Sequence, residues 1–148
     1  MIHDSIKFTG NVKIDIIGDD GVVKDSREIK NLVVTAGKTF IASRMVGTSA
    51  TIMSHMELGT GTTAAAAGDT ALETSISASR VTLTSGTNAA NVITYVASFP
   101  AGTGTGAVTE AGIFNAASAG TMLCRTVFST VNKSASDAMS ITWAITAS

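Results

Sequence analysis

The chain is short of charge, cysteine, proline, histidine and aromatic residues, and each shortage excludes something. Charged residues make up 14% of the 148, where an ordinary soluble domain carries about 25%. The net charge is −1, the sequence pI is near 6.0 and no cluster of Lys or Arg appears. Binding along a phosphate backbone needs such a cluster, so nucleic acid is not an expected partner. The only cysteine is Cys124, which excludes an intrachain disulfide and a Cys-based metal site. Seven aromatic residues, among them one Trp and one Tyr, give little material for stacking sugars. Met1-Ile2-His3-Asp4-Ser5 has neither the basic nor the apolar region of a signal peptide. The longest uncharged stretch, 81–109, is rich in Thr, Ser, Asn and Gly and contains Pro100. It does not read as a membrane span, and synthesis in a cytoplasm is expected.

The remaining charges are unevenly spread. Residues 1–50 hold seven Lys/Arg and six Asp/Glu. Residues 51–148 hold only Arg80, Arg125 and Lys133 against Glu57, Asp69, Glu73, Glu110 and Asp137, in a background of Ala, Thr, Ser and Gly. A chain this neutral either tolerates poor solubility or hides surface against partners; the second is expected, because a soluble monomer keeps more charge outside.

What is present is period-two alternation. Ile6, Phe8, Val12, Ile14 and Ile16 alternate with Lys7, Thr9, Asn11, Lys13 and Asp15, as in a half-buried strand. Asp20-Gly21 follows as a hairpin signal, with a returning strand over 22–30. Ala36, Phe40, Ile41 and Met45 sit at helical spacing and predict one helix over 35–46, with Thr35 as N-cap and Gly47 just past its end. Further strands are predicted near 53–58, 76–84, 91–99, 107–115, 121–129 and 138–147, separated by turn-rich loops at 59–68, 85–90, 101–106, 115–120 and 132–138. Met139, Ile141, Trp143 and Ile145 share one face of the last strand, and Ile93, Tyr95, Ala97 and Phe99 share one face of another. Eight strands and one helix predict an all-β fold, an antiparallel β-sandwich of jelly-roll type. Residues 1–148 read as a single domain with a short N-terminal arm of about five residues.

Patterns for catalysis are thin. His55 lacks a Gly-x-Ser-x-Gly elbow or any other sign of a triad, and His3 lies in the arm. His55 and Glu57 share a strand face, but no third metal ligand is visible. Gly102-Thr103-Gly104-Thr105-Gly106 follows a strand, yet the segment after it also reads as a strand, so the helix N-terminus of a dinucleotide site is missing. Glu57, Glu73 and Glu110 could serve as a carboxylate pair for glycoside hydrolysis only for want of others. No catalytic residue, cofactor or metal is expected, and the chain is not expected to be an enzyme.

Three runs carry a resemblance. They are Met56-Glu57-Leu58-Gly59-Thr60-Gly61-Thr62-Thr63 with Gly68-Asp69-Thr70-Ala71-Leu72-Glu73, then Val108-Thr109-Glu110-Ala111-Gly112-Ile113-Phe114-Asn115, then Gly120-Thr121-Met122-Leu123-Cys124-Arg125-Thr126-Val127-Phe128. With Asn31-Leu32-Val33-Val34-Thr35-Ala36-Gly37 upstream, the chain over 31–147 resembles small virion proteins of tailed bacteriophages. A short, compact member is most similar to capsid cement, or decoration, proteins. The resemblance implies attachment to the outer capsid surface, made in the host bacterial cytoplasm and located in the virion. It implies stabilisation by bridging major capsid subunits, and a homo-oligomer, dimer or trimer, with neither nucleic acid nor membrane as partner. The expected contacts are Met1, Ile2, His3 and Asp4 of the arm and Gly59, Thr60, Gly61, Gly102, Thr103 and Gly104 of the small-residue loops, which permit close backbone approach. The alternative is a tail-tip, fibre or baseplate protein that binds a receptor or glycan; a small hydrolase ranks third.

Overall fold

A computed structural model describes residues 4–48 and 50–148. The elements run β1 (Phe8–Ile17), β2 (Val23–Val33), α1 (Thr35–Met45), β3 (His55–Gly59), β4 (Val81–Thr82), β5 (Ser85–Ala89), β6 (Val92–Phe99), β7 (Gly106–Phe114), β8 (Met122–Lys133) and β9 (Ala138–Ala147). All strand pairs are antiparallel, and they join into one nine-stranded sheet of order β4-β3-β7-β8-β2-β1-β9-β6-β5. The protein is therefore all-β in architecture with a single helix among the described residues.

The sheet curls because one run of chain ties its two ends together. Residues 81–82 pair with β3, and residues 85–89 pair with β6. Between them the Leu83 amide donates to Ser54 O at 2.8 Å and the Thr84 amide donates to Val96 O at 2.7 Å. The inward faces of seven strands then share one core that includes Val12, Ile14, Leu58, Phe99, Ile113, Ile141 and Trp143. Trp143 and Phe99 are fully buried, as the alternation of their strands requires.

The predicted helix forms within a residue of its expected bounds, but it is capped differently. Thr35 is its first residue rather than its N-cap. Val34 occupies the cap and supplies no side-chain bond. The Thr35 amide instead donates to Ala67 O at 2.8 Å, so a loop from elsewhere satisfies one of the helix's open donors. Gly47 ends the helix at φ +71°, the left-handed conformation expected there. The helix sits on β8 through Gly37, where an added Cβ would lie 2.1 Å from the Leu123 carbonyl oxygen; only glycine allows that approach. Phe40 and Ile41 then reach the main core.

Two segments depart from expectation. The strand expected over 76–84 is paired only at Val81–Thr82, and residues 85–89, expected as loop, form β5. The turn falls later, at Ala90-Asn91, with Ala90 at φ +50°. Small polar residues carry no alternation there, and pairing with β6 supplies the order that the pattern lacks.

Candidate functional site

The three runs that carry the resemblance meet in space. On the outer face of β3, β7 and β8 lies the loop over 60–75, held by an apolar plug and a polar clasp. The plug is Leu72, packed with Val34, Phe114 and Met122 in a small second core. The clasp is built on Glu110 of β7 and Arg125 of β8, whose side chains are 0% and 3% exposed.

Glu110 accepts four hydrogen bonds. Its Oε1 receives the amides of Gly61 at 2.9 Å and Thr74 at 2.8 Å; its Oε2 receives the Glu73 amide at 3.0 Å and Arg125 Nε at 2.9 Å. An ionised carboxylate has about four lone-pair sites, so none is left over for a substrate. The Arg125 fork also donates to Asp69 Oδ2 at 2.8 Å and to Thr63 O at 3.1 Å, with Glu73 Oε2 at 3.6 Å. The Ala66 amide, followed by the Arg125 guanidinium, holds the Asp69 carboxyl below its ordinary range. The Thr63 amide and hydroxyl do the same for Glu73. Thr109 Oγ1 donates to Gly61 O at 2.7 Å. Gly61 is needed because a Cβ there would stand 2.5 Å from Glu110 Oε1.

The other charges of this half of the chain are engaged as well. Arg80 donates to Glu57 Oε2 at 2.8 Å and to Ala119 O at 2.8 Å, and its guanidinium lies 3.7 Å from the centroid of the Phe114 ring. Lys133, 1% exposed, donates to Asp137 O at 2.7 Å and Pro100 O at 3.0 Å, and burial pulls its pKa down. Asp137 receives Lys24 Nζ at 2.9 Å. All eight charged side chains of residues 51–148 are thus bonded within the molecule. What that half presents to its surroundings is mostly Ala, Thr, Ser, Gly and apolar groups, with the Glu73 carboxylate as its exposed charge.

The expected contact residues divide. Met1, Ile2 and His3 lie outside the described residues, and Asp4 is exposed. Thr60 and Gly102 are exposed and Thr103 is half-buried, but Gly59, Gly61 and Gly104 are buried. The loop over 59–68 is therefore pinned at its start through Gly59 and Gly61, and its exposed part is Thr60, Thr62–Ala64 and Ala66–Gly68. Gly104 packs on the side chain of Leu58, which brings the loops at 59–61 and 102–104 to one end of the sheet. Register places Phe8, the first residue of β1, at the other end, since Phe8 pairs with Ala147 while Ile16 and Phe99 both pair with Met139. Eight residues of strand separate the two ends by about 30 Å.

His55 is half-buried, and its Nδ1 lies 2.8 Å from Ser54 Oγ. Among the described residues no group of three metal-ligating side chains occurs, and no helix is long and apolar enough to cross a membrane. A groove of about 680 Å³ lies between α1 and β5, lined by Phe40, Arg44, Met53, Leu83 and Tyr95 among others. Periodicity does not reveal this groove, because β5 carries no alternation that marks it as a strand. Comparison with protein-family models, with curated proteins and with solved structures finds no match.

Proposed function

We propose that this chain is a virion structural protein of a tailed bacteriophage, a jelly-roll-like β-sandwich in its two-layer form, which binds the outer capsid surface and bridges major capsid subunits. The observation that carries the reading is the internal use of every charge in residues 51–148. A surface whose few charges are already bonded within the chain suits burial in an assembly, where an unpaired charge would lose its hydration. The resemblance points the same way. The residues that define it are Glu110, Arg125, Asp69 and the glycines around them, and their bonds fix a loop shape rather than face a ligand.

The mechanism is mass action. A protein that binds the mature lattice stabilises it by its free energy of binding. Contact patches about 30 Å apart let one copy touch two neighbours, and weak contacts then add through effective concentration. The end bearing Thr60, Gly102 and Thr103 is assigned to the shell.

The test is co-sedimentation of the purified chain with empty mature capsids of the phage that encodes it, beside immature shells. Saturable binding to mature capsids is expected. Absence of binding, together with localisation to isolated tails, would replace this reading by the tail-tip alternative.

A further inference from the structure

The groove beside α1 has features of a strand-accepting site. One wall is β5, whose five residues are all exposed. On one side β5 is bonded to β6, and its other edge has no strand partner among the described residues. Natural edges are guarded by charge, proline or a bulge; Ser85-Gly86-Thr87-Asn88-Ala89 has neither charge nor proline, and its register with β6 is unbroken. The opposite wall is apolar, with Phe40, Ile52 and Met53, and Ile52 is 66% exposed. The only charge on the lining is Arg44, which gives one bond to Ala50 O and has no acidic partner among the described residues.

We infer that this groove receives the segment preceding β1 from a second copy of the chain, added as an extra strand along the free edge of β5. The complement is present in residues 4–6. Asp4 and Ile6 fall on the same side of an extended segment, so a carboxylate can face Arg44 while an isoleucine enters the apolar wall. Ile6 is 69% exposed where it stands. The same molecule cannot supply the strand from these residues. Lys7 is fixed to Ser148 by reciprocal backbone bonds of 2.7 and 2.8 Å, three strand spacings from β5 through β9 and β6. That is about 14 Å across the sheet, whereas residues 4–6 fully extended reach about 10 Å. Main-chain bonds would supply affinity and the Asp4–Arg44 and Ile6 contacts would supply register, as in other strand additions. The contact stands independently of the capsid reading.

Sedimentation velocity of the full chain over a range of concentrations tests it. The intact protein is expected to associate. Deletion of residues 2–6, Thr87→Lys on the free edge, Arg44→Asp and Asp4→Arg are each expected to weaken association about tenfold or more, the scale of one lost charge pair or apolar anchor. Asp4→Arg combined with Arg44→Asp should recover most of the loss. Asp4, Ser5, Ile6, Arg44 and Thr87 are exposed, so thermal midpoints should stay close to that of the intact chain. A chain that stays monomeric throughout overturns the inference. So does association that survives the deletion; if Thr87→Lys alone then abolishes it, two β5 edges pair with each other instead.

Discussion

Arg125 Nε donates to Glu110 Oε2 across 2.9 Å between two strands, in a place from which both side chains are almost wholly excluded from water. Each is buried at a cost that the other offsets, and the loop over 60–75 closes on the pair. Removing one partner leaves the other charged and buried. Arg125→Ala or Glu110→Ala is therefore expected to destabilise the protein by about 3–5 kcal/mol. The double variant should lose less than the sum, because the two act as one unit. Arg125→Lys should rescue little, since an ammonium cannot serve Glu110 and Asp69 with one planar fork. Urea unfolding measures all four. A loss below about 1 kcal/mol for either single variant, the range of an exposed pair, would show that the clasp does not hold the loop.

Acid should loosen the same clasp and the separate Lys24–Asp137 pair. Asp69, Glu73 and Asp137 are all held below the ordinary carboxylate range, the last chiefly by its hydrogen bond from Lys24. A carboxyl that is a stronger acid when folded adds stability above its unfolded pKa, and this is lost as pH falls through the folded value. The urea midpoint should therefore be highest near neutral pH and fall below about pH 4, the ordinary carboxylate pKa. In Asp69→Asn the midpoint should start lower and decline less steeply. An identical decline in that variant would remove Asp69 from the account.

Cys124 lies in the main core, fully buried, and desolvation pushes its thiol well above the ordinary value. The thiolate is the reactive form, so the native protein should resist thiol reagents at pH 8 and react fully in denaturant. Rapid native labelling would show that β8 opens on the timescale of the reaction.

Trp143 is fully buried, and its Nε1–H has no partner among the described residues. Trp143→Ala should cost about 3–5 kcal/mol, the usual loss for a large buried aromatic. Trp143→Phe should cost well under half of that, because it also removes an unpaired donor. Native fluorescence should be blue-shifted; an emission maximum typical of water would reverse the assigned face.

His55 and Glu57, adjacent on one face of β3, separate on removal. His55→Ala should leave stability nearly unchanged. Glu57→Ala should cost about 1–3 kcal/mol, because Arg80 then lies half-buried against Phe114 without its carboxylate partner.

Local pattern made much of this fold legible. The last strand, with Ile141, Trp143 and Ile145 inward, and the helix from Thr35 follow from periodicity within a few residues. What periodicity could not reveal depends on distant partners. The β5 strand has no alternation and exists through β6. Thr35 is capped by Ala67 rather than by itself. The clasp joins residues from 61 to 125, and its trace in the sequence was indirect: lone charges, Glu110 and Arg125, inside strands of a half that otherwise avoids charge. Gly61 and Gly59, which suggested loose contact loops, are small because Glu110 lies against them.

Capsid stability tests the cement role. Particles carrying the chain and particles stripped of it are heated in parallel at low salt, with occupancy confirmed on each, and the temperature of genome release is recorded. Release is expected at a higher temperature from particles that carry the chain, with a return to that temperature when purified protein is added back. Release at the same temperature from both, with the chain demonstrably attached, would contradict a cement role.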